Sequence, residues 1–175
     1  HDETSENFQE AWSFTMGCTD PYANNFNILA KIDDCSCEYS QPRLKVCTYN
    51  LWQMTDNSYD RAPHFKKIIS ELCCDILAVQ EIIGYSGEEY FYNEIISQIN
   101  QEYLRAPFID DPYSSLDQTL YYKPSIDLIS TSYIPTDLRN INEFILAFEN
   151  DTFICKNYSS SASTSSSSSD SGVSL

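Results

Sequence analysis

The sequence has no run of about 18 apolar residues, the length a membrane-spanning helix needs, and no basic stretch leading into an apolar one as in a secretory leader. Basic residues are scarce: 10 Lys and Arg face 26 Asp and Glu, for a formal charge of −16. Such a field repels nucleic acid and anionic membrane, so loose electrostatic attachment to either is disfavoured. A phosphate substrate would need a metal ion or a local Arg or Lys as a bridge. The acidity is spread along the chain: residues 1–42 hold eight acids against Lys31 alone, and residues 43–150 hold sixteen against eight bases. This reads as a solvated acidic surface. No internal repeat is evident. Seven cysteines cannot all pair within one chain. The chain starts with His1 rather than Met, which is compatible with a removed leader.

What is present suffices for one domain with appendages: 175 residues, 42% hydrophobic and 14% aromatic. Composition divides the chain in three. Residues 1–42 are polar and acidic with a Cys cluster at 17–39, residues 43–157 show regular hydrophobic periodicity, and residues 158–175 are low-complexity serine, expected to be disordered. Within the middle region Leu44–Leu51 reads as a strand. Pro63 suits a first helical turn, and Phe65, Ile68, Ile69 and Leu72 then recur at helical spacing. Residues 75–82, DILAVQEI, have the continuous apolar run of a strand covered on both faces. Gly84 and Gly87 are expected to break the chain before a second helix over about 88–101. Segments 103–109, 118–123, 126–130 and 141–148 read as strands, with prolines between them. The order is β-α-β-α-β-β-β-β, a sheet with helices on one face continuing into antiparallel pairs.

Two of these strands end in polar groups, Asn50 and Glu81. A polar side chain at a buried strand end costs about 1–3 kcal/mol unless it is hydrogen-bonded or coordinates something. A right-handed β-α-β connection makes the two strands parallel and puts both C-terminal ends on one rim, where α/β sheets bind ligands. An oxygen-rich rim favours Mg²⁺ or another hard divalent ion. The spacing is equally compatible with Asn50 capping a turn and Glu81 pairing with a nearby Lys or Arg.

The stretch KVCTYNLW…RAPHFKKIISELCCDILAVQEI resembles the endonuclease/exonuclease/phosphatase superfamily of deoxyribonuclease I-like fold, which opens with a T-x-N strand, a helix and a D-I-x-x-x-Q-E strand. Thr48, Asn50, Asp75, Ile76, Gln80 and Glu81 match that pattern, and LDQTLYYKPSIDLISTSYIPTDLRNINEFIL is similar to the family's middle. The resemblance covers residues 43 to about 150, near the first half of the family's domain. It implies an α+β fold, half of a four-layer α/β/β/α sandwich, and metal-dependent phosphoester hydrolysis. It further implies a Mg²⁺ or Mn²⁺ ion on Glu81, Asn50 orienting metal and scissile phosphate, and Arg139 near the phosphate, where a surface ion pair is the other reading. The implied substrate is a phosphodiester, in nucleic acid or in a small molecule.

The family's middle-strand His, G-D-x-N pair and closing S-D-H have no counterpart. The two histidines are His1, at the terminus, and His64, on the first helix. After INEFILAF the chain drifts into ENDTFICKNYSSSAS. A truncated or frameshifted chain is the favoured explanation, with doubtful turnover. One sheet face is then expected to lack its partner sheet.

Residues 17–39, GCTDPYANNFNILAKIDDCSCEY, resemble a short motif of secreted bacterial proteins in which Cys18 and Cys37 hold the paired positions. Their disulfide would stabilise the segment by roughly 3 kcal/mol and implies an oxidising, extracellular location. Cys35 stands where the motif has glycine, a replacement expected to strain a turn. Asp20, Asp33 and Asp34 can supply oxygen ligands to Ca²⁺ or be solvated turn residues. Cys47 reads as a buried free thiol. A non-catalytic secreted calcium-binding or adhesion protein is therefore the alternative to a hydrolase.

Overall fold

The computed structural model describes residues 15–99, 102–111, 114–135, 141–148 and 151–158. They fall into two compact units divided after Arg43.

The first unit is built from turns. Among its described residues an isolated bridge joins Met16 and Ile32, and a disulfide joins Cys18 to Cys37. Asn24 and Glu38, whose main chains bond at 2.7 Å, close the loop further. Cys35 has φ +65°, the left-handed region that glycine adopts without strain, and it is oxidised.

The second unit begins with β1 (Val46–Met54), α1 (Ala62–Leu72), β2 (Ile76–Ile82) and α2 (Gly84–Glu94). A 3₁₀ turn (Ile96–Gln98), β3 (Leu104–Arg105), β4 (Asp117–Tyr122), β5 (Asp127–Ile134), β6 (Ile141–Phe148) and β7 (Asp151–Tyr158) follow. Helix α1 has Pro63 in its first turn and ends where Cys73 turns left-handed at φ +50°. Its inward face is Ala62, Phe65 and Ile69.

The first sheet has the order β1-β2-β4-β3, with β1 and β2 parallel and the other pairs antiparallel. One face packs on both helices through Leu51, Leu77, Val79, Phe65, Ile69 and Phe91. The opposite face, with Ile76, Ala78 and Leu120, meets Phe144, Leu146 and Cys155 of a second sheet, order β5-β6-β7. The fold is thus a partial deoxyribonuclease I-like arrangement of two sheets and two helices.

Three expectations need correction. The first sheet does have a partner on its second face, because β7 forms in the segment that follows INEFILAF and joins β5 and β6 in a second sheet. The segment DTFICKNY alternates, with Cys155 and Asn157 buried, and pairs with β6 along its whole length. Cys47 is not a free thiol: it is bonded to Cys74, because the parallel pairing brings β1 alongside the residues that lead into β2. In the chain-entropy picture this 27-residue link is worth about 3–4 kcal/mol. Cys73 is oxidised too, and the thiol left over is Cys155, buried in the sheet interface, where burial pushes it up to about 11.

The third correction concerns α2, which starts at Gly84 rather than near residue 88. Gly84 supplies φ +60° where the chain leaves β2, but Gly87 lies inside the helix. It is needed for close approach: a Cβ there would lie 2.5 Å from the Met54 carbonyl oxygen, which already accepts the Ile83 N–H at 2.9 Å. Gly87→Ala is therefore expected to destabilise by about 2 kcal/mol, whereas the same change on an open helix face stabilises by up to ~1 kcal/mol. Chemical denaturation distinguishes the two signs, and a stabilised variant would show that α2 does not abut the end of β1.

Candidate functional site

Strands β1 and β2 run in register from Val46↔Ile76 to Asn50↔Gln80, and the pairing then slips to Met54↔Ile82. Residues lining the helix-side core show the slip as a change of period. On β1 they are Cys47, Tyr49, Leu51 and then Met54; on β2 they are Leu77, Val79 and then Ile82. The last step is three residues on each strand instead of two. Left-handed backbone at Trp52 (φ +47°), Gln53 (φ +55°) and Glu81 (φ +62°) produces it. None of the three is glycine, and such strained bulges are kept where surrounding structure holds them.

The slip decides what Glu81 can do. Under strict alternation Glu81 would follow Leu77 and Val79 onto the face packed by the helices. Ile82 takes that place instead, fully buried, and half-buried Glu81 turns to the rim. There the Asn50 Nδ2 donates to Glu81 Oε1 at 2.9 Å. Asn50 Oδ1 meanwhile accepts the Trp52 N–H at 2.8 Å. The structure thus brings the amide and the carboxylate together.

Beneath them lies a buried polar network. Gln80 Nε2 donates to Thr48 Oγ1 and to Asn157 Oδ1, both at 2.8 Å. Asn157, fully buried on β7, donates its own Nδ2 to the carbonyls of Val79 (3.0 Å) and Thr119 (3.3 Å) across the gap between the sheets. At the same rim Asp117, 3% exposed at the start of β4, accepts the N–H groups of Asp111 (3.0 Å) and Gly84 (3.3 Å). Burial raises its carboxyl to about 6, helped by the charges of Asp110 and Asp111, while the two amides pull the other way. On α2, Glu88 is buried against Arg105 (3.2 Å) and the Tyr121 hydroxyl (3.1 Å), and burial raises its carboxyl as well.

Of the other sequence candidates, Arg139 lies outside the described residues. In the first unit the three aspartates serve the loop. Asp20 accepts from the Tyr39 hydroxyl (2.6 Å) and the Tyr22 N–H (2.9 Å) and faces Arg43 at 3.8 Å. Asp33 accepts from Thr19 Oγ1 and the Cys35 N–H, and Asp34 from the Ser36 N–H. Among the described residues no group of three or more His, Cys, Asp and Glu side chains is placed to hold a metal ion. Sequence reasoning passed over Asn157, Asp117 and Arg61. Asn157 carried one usable signal, a polar residue in an inward position of an alternating segment; nothing in the spacing marks Arg61 or Asp117.

No protein-family model and no curated protein matches the sequence. Solved structures do match. The Danio rerio TDP2 structure with a single-strand DNA product is 18% identical, with a TM-score of 0.51 over 66% of this chain and 45% of that one. A D. rerio TDP2 humanized by 14 mutations is also 18% identical, with a TM-score of 0.53 over 67% and 48%. A truncated Caenorhabditis elegans TDP2 is 12% identical, with a TM-score of 0.51 over 69% and 47%. These are members of the endonuclease/exonuclease/phosphatase superfamily. At such identities the likeness is one of fold, and the chain spans less than half the length of each.

Proposed function

We propose that the rim formed by Asn50 and Glu81 is the metal-facing part of a phosphoester hydrolase site. The observation that supports this most directly is the 2.9 Å bond between the two side chains across strands that both break alternation at that point. Glu81 would hold Mg²⁺ or Mn²⁺. One carboxylate suits a hard ion that keeps most of its shell as water and substrate phosphate, unlike a closed structural cage. Such an ion, when bound, polarises a phosphoryl oxygen and stabilises charge on the leaving group. Asn50, its oxygen engaged by the Trp52 N–H, keeps its N–H₂ directed at Glu81 and holds that carboxylate in one orientation. The charge of −16 favours a small phosphodiester or phospholipid head group over a duplex. The disulfides are compatible with an extracellular protein, where we place it. Among the described residues no helix is long and apolar enough to cross a membrane.

The test is Glu81→Gln in the full chain, which keeps an oxygen for the Asn50 amide and removes the charge. Titration with Mn²⁺, followed by its electron paramagnetic resonance signal, should show one site in the parent and an affinity roughly tenfold lower or worse in the variant, with unchanged melting. Equal affinity in both proteins would remove the basis for a hydrolase.

A further inference from the structure

We propose that Arg61 is the positioning residue of this rim, acting on Asn50 through the main chain of Trp52. The proposal rests on the reading of Asn50 and Glu81 as a metal-facing pair, but its geometry stands apart from that reading. Arg61 occupies the N-cap position of α1, yet its side chain does not cap the helix. The guanidinium turns back to the end of β1. Nη1 donates to the carbonyls of Leu51 (2.9 Å) and Trp52 (2.8 Å); Nη2 donates to the carbonyl of Gln53 (3.2 Å) and to Ser58 Oγ (2.7 Å). The group also lies 5.6 Å from the centre of the Phe65 ring, which backs it on the helix side.

Three consecutive carbonyls cannot face one group in an extended strand, because successive peptides point to opposite sides. They converge here only because Trp52 and Gln53 are left-handed. Neither residue favours that conformation, and Trp52 gains little by packing, since it is 77% exposed. The guanidinium is the group that compensates: a planar fork carrying a full charge can satisfy several carbonyls at once, which a lysine ammonium with one nitrogen cannot do in the same geometry.

The consequence reaches the rim in two further bonds. With the Leu51 carbonyl held by Arg61, the peptide that joins Leu51 to Trp52 presents its N–H to Asn50 Oδ1 at 2.8 Å, which fixes which end of the Asn50 amide faces which way. Nδ2 is then left to donate to Glu81 Oε1 at 2.9 Å. Loss of the clamp lets the 52–53 turn relax, and the Asn50 amide loses its reason to stay in that orientation.

The test uses the full chain with Trp12→Phe, so that Trp52 is the remaining tryptophan. Arg61→Met and Arg61→Lys are compared with the parent by circular dichroism melting, hydrogen exchange of the Asn50 side-chain amide by NMR, and Mn²⁺ affinity from quenching of Trp52. Both variants are expected to exchange the Asn50 amide faster and to bind Mn²⁺ about tenfold more weakly while remaining folded. A folded Arg61→Met protein with unchanged exchange and affinity overturns the proposal, and so does full restoration by lysine. Should Arg61→Met fail to fold, Ser58→Ala, which removes one acceptor from Nη2, must still speed the exchange, and no change there also overturns it. A parent that binds no Mn²⁺, with exchange still faster in the variants, sinks the proposed function and leaves the Arg61 relay standing.

Discussion

Asn157→Leu is expected to destabilise the protein by about 3 kcal/mol, although the two side chains are close in size. Asn157 is fully buried and spends its amide on the other sheet: its Nδ2 serves the Val79 and Thr119 carbonyls, and its Oδ1 takes the Gln80 side chain. A leucine there leaves two carbonyls on β2 and β4 without that donor in a site closed to water, and each such loss costs roughly 1–3 kcal/mol. The added apolar contact offsets little of this, because Leu is branched where Asn is planar. Urea unfolding of parent and variant at one pH gives the difference directly. A loss below about 1 kcal/mol would show that the sheets are joined by their apolar contacts alone. Gln80→Leu in the same background should cost less than it does alone, since its partner on β7 is already gone.

The second large effect is on the pH dependence of stability. Asp117 has an ordinary value of 3.8 and rises to about 6 in the folded protein, chiefly because it is buried. A folded-state value above the unfolded one means that the native state holds the proton more tightly. Its contribution is fully present below pH 3.8 and is lost as pH rises through about 6, a swing of about 3 kcal/mol. Asp117→Asn removes this titration, at the cost of one of the two amide contacts from Asp111 and Gly84. The difference in unfolding free energy, parent minus variant, should therefore fall by about 3 kcal/mol between pH 3 and pH 7. A difference that stays flat over that range would mean that the carboxylate is ionised throughout and well solvated by its two amides.

Much of the architecture was legible because it depends on local pattern. The apolar run of β2, the helical spacing of Phe65 and Ile69, and the strand at 141–148 all declare themselves within a few residues. Glycine was misleading where its purpose was tertiary. Gly84 and Gly87 look alike in sequence, but one serves a left-handed turn and the other yields room to a carbonyl from another strand. The strand β7 was missed for a related reason: the inward side of Cys155 and Asn157 is defined only once β6 and the first sheet supply their neighbours. The Cys47–Cys74 bond was likewise invisible, since odd cysteines carry no pairing in their spacing.

The sequence by itself determined that Asn50 and Glu81 lie on two neighbouring parallel strands towards the same rim, since a crossover of that length and handedness allows little else, although β1 runs on to Met54 rather than stopping at Leu51. Whether the two groups share a side of the sheet was left to the tertiary structure. Asn50 is paired with Gln80, not Glu81, so an unbroken pleat would have sent the carboxylate to the helical face. Left-handed Glu81 reverses that parity on β2, and left-handed Trp52 and Gln53, whose carbonyls Arg61 holds from a different element, make the matching slip on β1. A period of two is written in the chain, but a single-residue slip in it depends on contacts that only the folded molecule assembles.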